Sequence, residues 1–155
     1  MRRKRSGSAL IEFALVVPIF LLVCLAGVDM GRAFNAAMML TGATRTALEY
    51  AGENANTASD TTGITKLVTQ GTGNAQGLSV SVVQFCSCSV GGAQVSCSST
   101  CSGKIVYVQV TATEPFQTIA AWPYIPQPLN LTRSGTIRVA YPPPGGGGFG
   151  MILPF

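Results

Sequence analysis

An apolar run near the N-terminus constrains this chain more than any other feature. From Ser8 to Val28, 21 consecutive residues contain a single charged side chain, Glu12. As an α-helix rising about 1.5 Å per residue, this run would be roughly 31 Å long, which matches the hydrocarbon core of a bilayer. Four basic residues stand just before it: Arg2, Arg3, Lys4 and Arg5. By the positive-inside rule, the sequence predicts a membrane-spanning helix whose basic end stays in the cytoplasm and whose other end is exported.

A secretory signal peptide is the alternative, because it also begins with basic residues and continues as an apolar run. Such a peptide ends at a small-x-small cleavage site, of which only a poor version stands here. The chain then continues over residues 31–51 with Ala, Leu and Met at helical spacing, and Phe34, Met38 and Leu48 fall near one face. The sequence therefore favours one continued helix over residues 8–51.

Three residues inside this helix carry predictions of their own. Pro18 removes one backbone hydrogen bond, so we expect it to kink the helix without ending it. Gly27 and Gly31 form a G-x-x-x-G pattern, which allows two helices to approach closely but also arises by chance in apolar helices. Both interpretations of the glycines stay open.

The charge and composition exclude some classes of function. The ten Lys and Arg residues outnumber the six Asp and Glu by the four basic residues of the leader alone. A nucleic-acid-binding surface needs basic residues spread over a folded face, so no nucleic-acid partner is expected. The chain has no His, which removes the usual general base, and it shows neither paired acids nor a nucleophile elbow. We expect a protein that is not an enzyme and uses no cofactor.

Four of the five cysteines cluster in the second half of the chain: Cys86, Cys88, Cys97 and Cys101. Export favours oxidation, so we expect two disulfides. With Gly91–Gly92 at the tip of a hairpin, Cys88 approaches Cys97. Cys86 and Cys101 then close the next ring outward, and this nested pairing is the one we prefer among the three that are possible. A zinc site is the alternative, although the spacing lacks the paired C-x-x-C knuckles of common zinc folds.

The sequence of the part that we expect to be exported predicts an α+β head. The polar, turn-rich stretch 52–63 indicates a loop, and a short helix is expected from about Thr61 to Gln70, with Asp60 as its N-cap and Gly71 as its stop.

Alternating apolar and polar residues over 77–88 and 104–113 predict strands with one buried face, and residues 129–142 supply a last strand or two. The fold class is therefore a long N-terminal helix followed by an antiparallel sheet of three or four strands with one or two helices.

The segment 120–129 places Trp122, Tyr124 and three prolines on an expected exposed loop. Two interpretations stay open, a contact with a subunit or other partner and ordinary aromatic cover over the sheet.

The N-terminal segment resembles type IV pilin-like proteins, most closely the TadE-like minor pilins of tight-adherence pilus systems. The resemblance rests on the basic leader ending at Gly7, on the run "SALIEFALVVPIFLLVCLAG" with Glu12 at the fifth position after that glycine, and on the continuation "DMGRAFNAAMML". In that family a prepilin peptidase cuts after the glycine, which implies cleavage between Gly7 and Ser8. It also implies that Glu12 pairs with the freed amino group of a neighbouring subunit and so fixes the register of assembly. Within "DMGRAF", Asp29 and Arg32 are three residues apart on one helix face and are expected to pair.

The resemblance implies a leader over 1–7, a transmembrane and extended helix over 8–51, a head over 52–141 and a Pro- and Gly-rich tail over 142–155. It implies a protein of the bacterial inner membrane, with a cytoplasmic N-terminus and a periplasmic head, that later joins the pilus at the cell surface. The implied partners are other pilin subunits, the prepilin peptidase, the inner-membrane pilus assembly platform and membrane lipid.

Two further classes of function compete with this one. The first is a single-pass, membrane-anchored extracytoplasmic binding module, for which the helix is only an anchor. The second is an exported enzyme, which the missing residue types disfavour.

Overall fold

The computed structural model describes residues 6–101 and 103–139, so most of the predicted leader and the whole of the predicted tail lie outside the described residues. The helices and strands follow one another in this order: α1 (Ser6–Gly52), α2 (Ala55–Ser59), α3 (Thr61–Gly71), β1 (Ser79–Ser87), β2 (Ile105–Phe116) and β3 (Leu129–Arg138). The chain divides into two compact units, one made of residues up to 36 with 116–129 and the other of residues 37–115 with the chain from 130 onward. A long helix followed by two short helices and a three-stranded sheet confirms the predicted α+β class.

Helix α1 is continuous through Pro18, as expected from a proline that interrupts one hydrogen bond without ending the helix. The bend itself stays a prediction. Residues 37–52 of α1 belong to the second unit and bury a face made mostly of small side chains. Its buried members are Leu40, Ala43, Thr44, Ala47 and Ala51.

The buried face of α1 is not the one that carries the larger side chains. Phe34 and Met38 are 63% and 66% exposed, while Leu48 is half-buried. The alanines are buried instead because they let other elements approach the helix closely. At the end of α3, a Cβ placed on Gly71 would lie 2.6 Å from the Cβ of Ala43. Close packing of small residues therefore decides which face turns inward.

The loop predicted over 52–63 is wrong in part, because it contains the short helix α2. Asn54 caps this helix, and its side chain accepts hydrogen bonds from the backbone N–H groups of Asn56 and Thr57. The hydroxyl of Thr57 accepts in return from the backbone N–H of Asn54, which completes a capping box.

Helix α3 confirms the predicted helix and its N-cap. The carboxylate of Asp60 accepts a hydrogen bond of 2.8 Å from the backbone N–H of Gly63 and one of 2.9 Å from the hydroxyl of Tyr50. Because the backbone hydrogen bond and then the tyrosine favour the charged form, they hold the pKa of Asp60 below its usual value.

The sheet has the strand order β1-β2-β3. Strands β1 and β2 are antiparallel, with a register that runs from Ser79 opposite Thr113 to Ser87 opposite Ile105. Strand β3 lies on the other edge of β2, where the hydroxyls of Thr113 and Thr132 are 3.1 Å apart. One face of the sheet packs on α1 and α3 and carries Val108, Val110 and Ala112 of β2. The predicted alternation along β1 is confirmed, since its valines at 80 and 82 are half-buried and its serines at 79 and 81 are exposed.

The predicted disulfide pairing is wrong. Cys86 is joined to Cys97 with an S–S distance of 2.07 Å, and Cys88 to Cys101 with 2.25 Å. The nested pairing assumed that β1 turns back directly at the glycines, whereas β1 pairs with β2 and the cysteine-rich segment is the long connection between them. That connection meets the free edge of β1 at Val95, whose backbone exchanges hydrogen bonds of 3.2 and 2.7 Å with Cys86. This register brings Cys86, rather than Cys88, next to Cys97.

The same bonds bear on the zinc alternative. A cysteine binds zinc as a thiolate, and all four sulfurs of the cluster are joined in pairs. Within residues 6–101 and 103–139, no group of three or more His, Cys, Asp or Glu side chains is placed to hold a metal ion.

We expect paired serine substitutions to distinguish the two disulfide patterns. In full-length protein carrying Cys86→Ser and Cys97→Ser, the remaining disulfide is intact, so alkylation under denaturing, non-reducing conditions labels only Cys24. With Cys88→Ser and Cys97→Ser, both disulfides lose one partner and two further thiols become reactive. Intact mass after alkylation measures the number of labels. The reverse pattern would restore the nested pairing.

Candidate functional site

The first half of α1 presents apolar side chains in every direction. Among the described residues, α1 is the one helix long and apolar enough to cross a membrane, and none of its most apolar window is buried by the rest of the chain. Its exposed large side chains include Leu10, Ile11, Phe13, Leu15, Val16, Ile19, Phe20, Leu21, Leu22, Val23 and Val28. A helix that is apolar all round is stable only where lipid or other protein surrounds it.

The predicted processing and register residues lie at the start of this helix. The backbone of Gly7 and Ser8 forms part of the first turn of α1. Glu12 follows Ser8 by four residues, which is about one helical turn, and its side chain is exposed among apolar neighbours. Moving a carboxylate into apolar surroundings costs several kcal/mol unless a partner compensates its charge. The predicted pairing of Glu12 with a charge on a second chain stays a prediction.

Gly27 and Gly31 leave an open strip on the helix. A Cβ built on either glycine would have no other atom within 4 Å. Nothing in the described part of this chain therefore packs against the G-x-x-x-G pattern. Its use in packing against a second chain stays a prediction.

Asp29 ends the apolar run and organises the first compact unit. It is only 4% exposed, although its neighbours on the helix face outward. One carboxylate oxygen accepts from the backbone N–H of Ile119 at 2.9 Å. The other accepts from the backbone N–H of Ala120 at 3.3 Å and from the indole N–H of Trp122 at 2.9 Å. We call this set of hydrogen bonds the Asp29 latch.

Arg32 completes the latch from one turn further along the helix. Its guanidinium lies 3.2 Å from the carboxylate of Asp29, which confirms the predicted pair. It also lies 5.3 Å from the centre of the Phe116 ring and donates to the carbonyl of Gln117 at 3.5 Å. A cation over an aromatic face and a charge-assisted hydrogen bond together hold the segment that follows β2 against the helix.

These contacts hold the segment 117–128 against the helix. The predicted exposed loop is confirmed for residues 123–128, and a partner contact there stays a prediction. Trp122 is half-buried, and its indole bonds to Asp29 instead of covering the sheet. Tyr124 and Ile125 remain exposed, Tyr124 completely. The latch was not predicted, because about ninety residues separate Asp29 from its partners. The one local signal was an acid that directly follows an apolar run.

Together, these features fit a class of membrane-anchored proteins with one N-terminal apolar helix and a small, disulfide-bonded α+β head. Residues 7–48 match the family model described as TadE-like protein, and over this segment the chain is TadE-like. The match confirms the resemblance and fits a pilus-associated, membrane-anchored protein of a structural, pilin-like family. No curated protein and no solved structure gives a significant match to the chain.

Proposed function

We propose that this protein is a pilin-like structural subunit, of the minor type, in a tight-adherence pilus system. A prepilin peptidase removes residues 1–7, and the N-terminal helix then enters the pilus or its base. The observation that carries the proposal is an uncovered apolar run, residues 8–28, that bears one acid, Glu12, inside a TadE-like segment.

Cleavage after Gly7 creates a new positive charge four residues before Glu12. The cut leaves an ammonium group on Ser8, and in a bundle of such helices this group from one subunit lies beside Glu12 of the next. Opposite charges attract strongly where water is excluded, and a misaligned subunit would leave both charges buried and uncompensated. The pair therefore fixes the axial register of assembly. The family match begins at Gly7, after the four basic residues of the leader, which supports a boundary near this residue.

Before assembly, the same helix holds the subunit in the inner membrane. The basic leader keeps its N-terminus in the cytoplasm, where the peptidase and the assembly platform act, and the head is periplasmic. Glu12 then lies near the cytoplasmic headgroups, where a charge is less costly than at the bilayer centre. The same apolar surface of the helix therefore contacts lipid before assembly and neighbouring pilin helices after it.

The outer part of the helix also supports packing against other subunits. Met30, Phe34 and Met38 recur every four residues and are 62%, 63% and 66% exposed. Residues at this spacing share one face of a helix, and flexible methionines accommodate neighbours of irregular shape. A stripe of this kind suits contacts with copies of the chain or with other pilins.

N-terminal sequencing and intact mass of the protein from a pilus or membrane fraction test the proposal. We expect the mature chain to begin at Ser8, and we expect Gly7→Ala to abolish trimming because the peptidase recognises the glycine. Gly27→Ala is the matched control, since within the described residues the added methyl group meets nothing beyond its own helical backbone, and processing stays normal. A native chain that begins at Met1 would contradict the proposal.

A binding module is the second candidate, and the complete exposure of Tyr124 beside Ile125 favours it. In that case the helix serves only as an anchor, and trimming at Gly7 is not required. Equal binding and surface display by Gly7→Ala and wild type would favour the module.

A further inference from the structure

The Asp29 latch fixes the level of segment 117–128 relative to the apolar run. Asp29 directly follows Val28, the last residue of the run. Twenty residues of helix separate Ser8 from this end, so Asp29 lies roughly 30 Å along the axis from the mature N-terminus, about the thickness of the hydrocarbon core. Because Ile119, Ala120 and Trp122 bond directly to Asp29, the segment lies where the helix leaves the hydrocarbon.

The composition of this segment is unusual for a loop that faces water. From Phe116 to Thr132 the sequence contains no charged side chain. Ile119 is 60% exposed, Ile125 is 43% exposed and Tyr124 is completely exposed. Tryptophan and tyrosine concentrate at membrane interfaces, where the ring contacts acyl chains and the N–H or O–H group stays hydrated.

The latch also meets a requirement for a backbone near lipid. Backbone N–H groups that leave water must find partners within the protein. Asp29 accepts from two such groups, those of Ile119 and Ala120, and from the indole N–H as well. The amide of Gln127 donates to the hydroxyl of Thr118 and so ties the end of the segment to its beginning. These polar groups of the segment therefore form hydrogen bonds within the chain, whereas the side chains of Ile119, Tyr124 and Ile125 stay exposed.

We propose that segment 117–128 is an interfacial membrane anchor that lies in the headgroup layer of the outer leaflet, with lipid as its occupant. The anchor rests on the proposed membrane insertion of α1 and adds to it a second contact with the bilayer. Its position follows from the latch, and its exposed apolar side chains are Ile119, Tyr124 and Ile125. On assembly into a pilus, this contact must be released together with the helix.

The single tryptophan of the chain, Trp122, reports on this contact directly. Protein purified from the native membrane fraction is placed in vesicles of phosphatidylethanolamine and phosphatidylglycerol that carry lipid quenchers, either near the headgroups or near the ends of the acyl chains. We expect the headgroup-level quencher to reduce Trp122 emission at least about twofold more strongly than the deep one.

We also expect Tyr124→Ser combined with Ile125→Ser to reduce the headgroup-level quenching by about half. Val90→Ser is the matched control, because Val90 is an equally apolar residue, 66% exposed, on the cysteine-rich connection, and it leaves the quenching unchanged.

Flotation of the vesicles and the N-terminal sequence are measured on the same samples, so that the two proposals fail separately. If the protein floats with the vesicles and begins at Ser8, but lipid quenchers leave Trp122 unaffected, the interfacial anchor is wrong and the pilin-like function stands. If Trp122 becomes shielded from water only when the protein density in the vesicles is high, the segment contacts other copies of the chain. The lipid assignment is then overturned. If the protein does not float, both proposals fail.

Discussion

Glu12→Gln protein is expected to be trimmed at Gly7 and retained in the membrane, yet to be missing from the pilus fraction sheared from cells. The substitution keeps the size of the side chain, removes its charge and replaces one acceptor oxygen with an N–H₂ group. In a bundle of helices, the ammonium group of each neighbouring Ser8 then lies in apolar surroundings without its counter-charge. Loss of one partner of a buried ion pair costs about 3–5 kcal/mol, which corresponds to roughly two to four orders of magnitude in subunit association. Immunoblots of sheared and membrane fractions measure the distribution.

A matched control separates this effect from a general loss of negative charge. Glu49→Gln removes an acid from the same helix, in an exposed pair whose Arg45 nitrogen and Glu49 oxygen are 3.3 Å apart. Exposed pairs of this kind contribute little, so this variant reaches the pilus fraction as wild type does. Normal assembly of Glu12→Gln would show that the acid does not set the register, even where Gly7 is cut. Loss of trimming in Glu12→Gln would instead assign the acid to recognition by the peptidase.

The parts of the fold that the sequence predicted correctly depend on local signals. A helix is indicated by an uninterrupted apolar run and by residues that favour helices, and an N-cap such as Asp60 acts on a backbone group only three residues away. Strand β1 alternates between half-buried and exposed residues from Ser79 to Val82, and β2 alternates between buried and half-buried residues from Val108 to Thr113. The helix α2 was missed because polar residues that indicate a loop also form capping boxes, and Asn54 and Thr57 have that spacing.

The parts that were wrong or missed depend on which distant segments meet. Four cysteines allow three pairings, and the choice follows from the register of Val95 against Cys86, which no local pattern encodes. The buried face of α1 was likewise decided by its neighbours, since alanines admit α3 and the sheet where Phe34 and Met38 would keep them apart. For the candidate site, the roles of Gly7, Ser8 and Glu12 therefore stay predictions. Of the Asp29 latch, the sequence predicted only the pair with Arg32.

Asp29→Asn is expected to open the latch and expose segment 117–128 to proteolysis. In the wild type both carboxylate oxygens accept hydrogen bonds, one from Ile119 and the other from Ala120 and Trp122. Asparagine has one acceptor oxygen, so its amide N–H₂ group must face at least one of these donors. A buried donor without a partner costs about 1–3 kcal/mol, and the remaining bonds lose their charge assistance. The open state becomes roughly a hundredfold more populated if these losses reach about 3 kcal/mol.

Cleavage by chymotrypsin between Tyr124 and Ile125 measures that population in full-length protein held in detergent micelles. The protease requires a locally unfolded segment, so its rate follows the open fraction.

Arg32→Gln gives the graded comparison. It removes a guanidinium whose side chain is 48% exposed and leaves the three donors of segment 117–128 on the carboxylate, so the cleavage rate should rise by less than about tenfold. Equal rates for Asp29→Asn and wild type would mean that contacts other than the carboxylate hold the segment. A rate for Arg32→Gln as high as that of Asp29→Asn would assign the latch to the guanidinium on Phe116. Because Asp29 is the only residue of α1 that bonds to both backbone and indole groups within 119–122 in the described chain, the larger effect belongs to the acid.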